Sequence, residues 1–132
     1  LQDEHPIQDI RSLILSEIAS LSAIAGFQIS NSFQGPVDTM IGEELANQVI
    51  PVIRELITNA IRHAEATKID LVVLANQTYC EIRVVDNGKG YVAGERKSGL
   101  LNLERRALAR GGEFEILRDG VAGTRTMWRA SL

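Results

Sequence analysis

Apolar side chains at Ile10, Leu13, Ile14, Ile18, Leu21 and Ala25 recur every three or four residues, which predicts an amphipathic helix over 10–25 closed by Gly26. From Phe27 to Phe33 apolar and polar positions alternate, as in a half-buried strand, before Gln34-Gly35-Pro36 turns the chain. The strongest helical signal runs from Glu43 to Ala66, where Leu45, Val49, Ile53, Leu56, Ala60 and Ala64 form one stripe. Pro51 lies inside it and is expected to kink that helix or mark its true start. Lys68–Asn76 and Tyr79–Val85 read as two strands joined at Gln77-Thr78 in a hairpin. Asp86-Asn87-Gly88-Lys89-Gly90 is a glycine-punctuated loop, and Gly99–Arg110 a helix closed by Gly111-Gly112. Glu113–Arg118 and Thr124–Ser131 end the chain as a strand pair around Asp119-Gly120. Helices and antiparallel strands in this order predict an α+β fold, a two-layer sandwich with helices over one face of a mixed sheet.

Composition narrows the function classes. A chain of 132 residues suits one domain with its own core, and 45% hydrophobic with 23% charged residues is the balance of a globular protein. A formal charge of -3 leaves no basic excess for phosphate neutralisation, so nucleic acid is not the expected partner. The single cysteine, Cys80, has no internal disulfide partner, which fits a reducing, cytoplasmic setting. No apolar run approaches the ~20 residues of a membrane span, so no membrane contact is expected of this chain. It starts at Leu1, not Met, and reads as a fragment, which leaves room for a membrane anchor in a longer parent protein.

Four places carry candidate chemistry. Glu55, Asn59 and His63 follow each other at four-residue steps, each a rotation of about 40°, so all three lie on one strip of the long helix. An amide oxygen at Asn59 suits Mg²⁺, which takes oxygen ligands and keeps several waters. A solvated helix face presents the same trio. Asp86 ends an alternating strand with the parity of Cys80, Ile82 and Val84, so it faces the helical layer if they do. A carboxylate there needs a donor to offset desolvation, and the exocyclic amine of adenine is one. Gly88 and Gly90 then allow close backbone approach to a flat ring, although an ordinary Asp-Asn-Gly turn explains the loop too. Ser98-Gly99-Leu100-Leu101-Asn102 opens a helix whose free N–H groups attract phosphate, or which Ser98 merely caps. Gly123-Thr124 could place a glycine and a hydroxyl beneath a base, or simply turn the chain.

The order of these elements resembles the ATPase fold shared by gyrase-type topoisomerases, mismatch-repair proteins and histidine kinases, the Bergerat-type ATP-binding fold of the GHKL superfamily. Glu55-Leu-Ile-Thr-Asn-Ala-Ile-Arg-His-Ala64 is similar to its asparagine box, Val85-Asp-Asn-Gly-Lys-Gly90 to its first glycine box and Gly99-Leu-Leu-Asn-Leu-Glu-Arg-Arg106 to its second. Asn-Ala-x-x-His-Ala, Gly-Leu-x-Asn and the short loop between the glycine boxes resemble the nitrate-sensor-type kinases, and among them the oxygen- and redox-sensing actinobacterial branch. The resemblance covers roughly residues 27–132, with 1–26 as a preceding helical segment. It implies ATP and Mg²⁺ as cofactors and γ-phosphoryl transfer to histidine as the reaction. By the same resemblance Asn59 would hold Mg²⁺, Glu55 would orient the attacking histidine or a metal-bound water, and His63 would lie near the phosphates. Asp86 would bind the adenine amine, Gly88 and Gly90 would flank the base, Gly99 and Leu100 would give amides to phosphate, and Thr124 would reach the base through water. Implied partners are the dimerisation and phosphoacceptor domain of the same kinase, a response regulator, and a second copy of the full-length protein.

Two features depart from the pattern. His5 is followed by Pro6 instead of an acidic residue, so it does not match a phosphoacceptor and the chain is read as a catalytic domain without its substrate histidine. The connection Tyr91–Ser98 is shorter than the lid of typical members, with Arg96 and Lys97 its only cations and Glu95 placed to compete with ATP for them or for His63. Competing readings on the same fold are an anti-sigma-factor-type serine kinase, a nucleotide-dependent clamp as in topoisomerases, and a module that binds adenine nucleotide without transfer.

Overall fold

The computed structural model describes residues 9–62, 65–89, 97–118 and 123–132. Its elements run α1 (Ile10–Ala25), β1 (Ser30–Gln34), α2 (Val37–Met40), α3 (Glu43–Arg62), β2 (Ile69–Ala75), β3 (Tyr79–Asp86), α4 (Lys97–Ala109), β4 (Glu113–Arg118) and β5 (Thr124–Ser131). The strands form one sheet in the order β1-β2-β3-β5-β4. β1 pairs parallel with β2 and every other pairing is antiparallel, so the mixed sheet expected from the sequence is present.

Register explains the layering. Ala75, Cys80 and Ala130 face one another across β2, β3 and β5; so do Val73, Ile82 and Trp128, and Leu71, Val84 and Thr126. All of these are buried, together with Ile14 and Ile18 of α1 and Val49, Ile53 and Ile57 of α3. The helices therefore cover one face of the sheet. α1 begins at Asp9, whose carboxylate accepts from the Ser12 N–H at 2.8 Å, and is tied to α3 by a two-bonded Arg54–Glu17 pair. The β2–β3 turn is held by Asn76, whose Oδ1 accepts from the N–H groups of Thr78 and Tyr79.

Three expectations need correction. The first strand is Ser30–Gln34, not Phe27–Phe33, and it lies at the sheet edge with mostly exposed residues. The short helix α2 has no counterpart in the sequence pattern, being a single turn without periodicity. α3 does not start at Pro51 but runs through it from Glu43, held by a stripe of buried side chains on both sides of the proline. α4 begins at Lys97, so Ser98 is inside the helix and not its cap, and Gly99 belongs to the first turn.

α4 is fastened at both ends of its buried face. The Trp128 indole N–H donates to the Leu103 carbonyl at 3.0 Å, and the Gly112 N–H to that of Ala107 at 2.8 Å. Any Cβ at Gly112 would lie 1.8 Å from the Arg129 carbonyl oxygen, so only glycine lets the helix return so close to β5.

The opposite sheet face carries a charged cluster. Glu81 is 3% exposed there; its carboxylate pairs with Arg83 and, at 2.6 Å, with Arg129, whose guanidinium also stacks 4.0 Å from the Tyr79 ring centroid. A buried carboxylate that loses a partner costs far more than an exposed pair. Arg129→Ala is therefore expected to lower stability by about 3 kcal/mol, and Arg54→Ala, in the more exposed pair with Glu17, by less than about 1 kcal/mol. Urea denaturation of the two variants checks the ranking; equal losses would show that burial of Glu81 does not set the cost.

Candidate functional site

The buried face of the sheet is apolar along most of its length and polar at one end. After Cys80, Ile82 and Val84, the next residue of β3 to enter the helical layer is Asp86, 8% exposed. Its partner across β5 is Thr124, 1% exposed, followed inward by Thr126. The sequence parity of Asp86 is thus realised, and register brings Thr124 beside it.

Asp86 holds its carboxylate at the rim of the buried face, where Oδ1 accepts from the Gly88 N–H at 2.8 Å. Burial pushes the carboxyl above its ordinary value of 3.8, and the Gly88 hydrogen bond pulls it part of the way back. Thr124 Oγ1 beside it is buried with no partner among the described residues. A donor-seeking carboxylate and an unmatched hydroxyl side by side can receive a flat, polar-edged ligand that carries an amine.

Backbone geometry keeps this corner tight. Gly123 has φ 102°, and a Cβ there would meet the Asp86 carbonyl oxygen at 2.5 Å. The sequence singled out Gly123-Thr124 as a pair, and the structure separates their parts: the glycine allows the strand to close on β3, and the threonine supplies the hydroxyl. Gly88 is buried, and its N–H donates to the Asp86 carboxylate.

α3 brings the second group. Asn59 is 2% exposed, among the buried residues of the helix that packs on β3, and Glu55 lies one turn earlier, half-buried. Burial removes the solvated-face alternative for Asn59, since a surface amide would not be enclosed at this level. His63, the third member of the strip, falls outside the described residues, as do Gly90, Glu95, Arg96 and the phosphoacceptor comparison at His5. Gly99 and Leu100 are in the first turn of α4, partly buried, where helix N–H groups lack helical partners. Cys80 is no nucleophile: burial pushes its thiol up to about 11.

One residue of the glycine loop was quoted in the sequence only as part of a motif. Asn87 is exposed, yet its Oδ1 accepts from the N–H groups of both Thr67 and Lys68 at 2.9 Å, and its Nδ2 donates to Thr67 Oγ1 at 3.0 Å. An Asn-Gly dipeptide signals a turn, and nothing in the local sequence shows that its amide serves another segment.

The raised Asp86 carboxyl has a consequence for stability. Its folded pKa exceeds the unfolded one, so its contribution is fully present below pH 3.8 and is lost as the pH rises through the folded value. Asp86→Asn, which is never charged, is expected to be more stable than the wild type at pH 7, with the gap closing toward pH 3.8. Urea midpoints across this range check it. A less stable variant with a pH-independent gap would mean that ionised Asp86 carries no desolvation cost.

Comparisons with known proteins agree on the fold. The ATP-binding domain of PrrB from Mycobacterium tuberculosis superposes with TM-score 0.67 at 24% identity, covering 98% of both chains. The blue-light activated histidine kinase of Erythrobacter litoralis EL346 gives TM-score 0.71 at 20% identity, over 96% of this chain and 42% of its own. In sequence, sensor protein VraS of Staphylococcus haemolyticus is 32% identical over 98 residues, and that of Staphylococcus saprophyticus 33% over 91. These matches take in 72% and 67% of this chain but only 28% and 26% of the relatives, so the chain spans about a quarter of their length. The model of the family described as histidine kinase-, DNA gyrase B- and HSP90-like ATPase matches residues 44–126, well over half of the chain, and the protein is therefore an ATP-binding domain belonging to that family.

Proposed function

We propose that this chain is the catalytic domain of a two-component sensor histidine kinase, which binds ATP and presents its γ-phosphoryl group to a histidine on a dimerisation domain of the same kinase. The carrying observation is the Asp86–Thr124 pair, a buried carboxylate beside a buried hydroxyl that has no partner among the described residues, at the end of an otherwise apolar buried face. Asp86 Oδ2 accepts from the exocyclic amine of adenine, and Thr124 Oγ1 bonds the base edge directly or through water. Gly88 and Gly90 flank the ring. Residues 27–132 form the nucleotide-binding core, preceded by the helical segment to residue 26. The family match and the VraS relatives support the kinase reading, and the short Asn-Ala-x-x-His-Ala and Gly-Leu-x-Asn motifs support its nitrate-sensor-type branch.

On the phosphate side, Glu55 and Asn59 lie one turn apart on α3, His63 follows at the same four-residue step in the sequence, and Gly99 and Leu100 lie in the first turn of α4. The donor set fits a hydrated Mg²⁺ and not a protein cage: no cluster of three or more ionisable metal ligands occurs among the described residues, and Asn59 offers one amide oxygen. Bound there with ATP, Mg²⁺ would neutralise charge on the phosphate oxygens. Asn59 holds that side of the ligand in place, Glu55 orients the incoming imidazole, and the first-turn N–H groups of α4 bind phosphate oxygens. In the transfer, the imidazole nitrogen forms the N–P bond as the bond from the γ-phosphorus to the bridging oxygen breaks, and ADP leaves with the electron pair. The phosphoryl group then passes to a response regulator, the full-length kinase acting as a cytoplasmic-facing homodimer. No helix among the described residues is long and apolar enough to cross a membrane.

Calorimetric titration of ATP tests the two halves separately. Asp86→Asn is expected to weaken ATP binding by about 1.5–3 kcal/mol, roughly 10- to 150-fold, with the fold intact. Asn59→Ala should leave metal-free binding nearly unchanged and abolish the gain from Mg²⁺. Unchanged affinity in a folded Asp86→Asn, or equal Mg²⁺ enhancement with and without Asn59, contradicts the corresponding half.

A further inference from the structure

The two halves of the site ride on different elements. Asp86 and Thr124 belong to the sheet, and Glu55 and Asn59 to α3. A ligand that spans both halves feels the separation between them, and the chain joins the two elements between the end of α3 and the start of β2.

Asn87 fastens that connection. Besides the three side-chain hydrogen bonds to Thr67 and Lys68, its own N–H donates to the Lys68 carbonyl at 3.2 Å, so four bonds converge on the residue directly after Asp86. On the other side, the Ala66 N–H donates to the carbonyl of Ala60, the neighbour of Asn59, at 3.1 Å. Glu65 between them takes φ 56°, a left-handed conformation uncommon for a residue with a side chain, and its carboxylate lies 3.4 Å from Lys89 of the glycine loop. Asp86 is thus linked to Asn59 through Asn87, Thr67 and Lys68, Ala66 and Ala60, every step a peptide bond or a measured hydrogen bond. A simple Asn-Gly turn would direct the amide to its own backbone, as Asn76 does toward Thr78 and Tyr79. Asn87 instead satisfies a segment 19 and 20 residues away.

We propose that Asn87 is a positioning residue that clamps the C-terminal end of α3 to the end of β3 and so sets the distance between the base-binding and phosphate-binding halves of the site. It touches neither half of the ligand. The inference rests on the ATP-binding reading above, since only a ligand held at both ends senses the clamp. A shift of about 1 Å between two halves that must act together is enough to cost up to two orders of magnitude in a positioned complex.

Three ligands distinguish clamping from general stabilisation. Adenosine engages the base half alone, ADP without metal adds the phosphates, and ATP with Mg²⁺ engages both halves. For Asn87→Ala, with its fold verified by circular dichroism at the assay temperature, adenosine affinity measured by NMR titration should stay within about twofold of wild type, while Mg²⁺–ATP affinity falls about tenfold or more. Metal-free ADP should lie between. Asn87→Asp keeps an acceptor for the Thr67 and Lys68 N–H groups and should return Mg²⁺–ATP affinity to within about threefold of wild type. If Asn87→Ala does not stay folded, Thr67→Val, which removes only the bond to Nδ2, carries the same contrast at about two- to threefold. Equal losses for adenosine and Mg²⁺–ATP, or no loss for either, overturn the clamp while leaving the nucleotide site standing. Failure of the wild type to bind any of the three ligands sinks the nucleotide reading itself and the clamp with it.

Discussion

The cross-strand register of β3 and β5 is the constraint on which the molecule depends. Side chains alternate faces along a strand, so once Ile82 is committed to the helical layer, Cys80, Val84 and Asp86 are committed with it. A slip of one residue would expose Ile82 and Trp128 and bury Arg83 and Met127 in their place. The apolar rungs therefore hold in position a polar rung that is itself unfavourable. Asp86 and Thr124 are kept under the helices because the rest of the strand has no other way to pair.

The layers around this rung are joined by specific contacts as well as by apolar packing. Trp128 bonds α4 through Leu103, Asn87 bonds the connection after α3, and Glu17 with Arg54 ties α1 to α3. On the uncovered face, Glu81 gathers Arg83 and Arg129, which alternate along the same strands with Cys80, Ile82 and Trp128 of the covered face. The two faces thus stabilise the same strands by different means, packing on one side and a partly buried ion cluster on the other. At the end of the covered face the packing gives way to Asp86 and Thr124, whose buried hydroxyl has no partner among the described residues, a group that a ligand can complete.

Much of this was legible in the residues, for physical reasons that differ by element. β3 and β5 carry their apolar residues largely on one face because that face is buried, so the strands, β2 included, could be read to within a residue at each end and the parity of Asp86 directly. α3 has a broad buried stripe that outweighs the cost of Pro51, a tertiary effect that propensity alone misjudges. β1 was misplaced because an exposed edge strand needs no alternation; Ile29, fully buried just before it, drew the predicted strand too early. The pairing of Asp86 with Thr124 could not be read from local pattern, since it depends on a register between strands 38 residues apart in numbering. The same holds for Asn87, whose hydrogen bonds cross between segments. Family resemblance supplied the site list, and the structure supplies the reason why the carboxylate and the hydroxyl are adjacent.

The central claim is that the polar rung at the end of the buried face reads the amine of adenine. It is tested most directly by comparing ADP with inosine diphosphate, which differs at the base by a carbonyl in place of that amine. Both are titrated calorimetrically into the wild-type domain under identical salt and without metal. Losing the donor and setting an acceptor against the Asp86 carboxylate is expected to weaken binding by at least about tenfold. Equal affinities for the two nucleotides would contradict the assignment of Asp86 and Thr124 as the base-recognising pair.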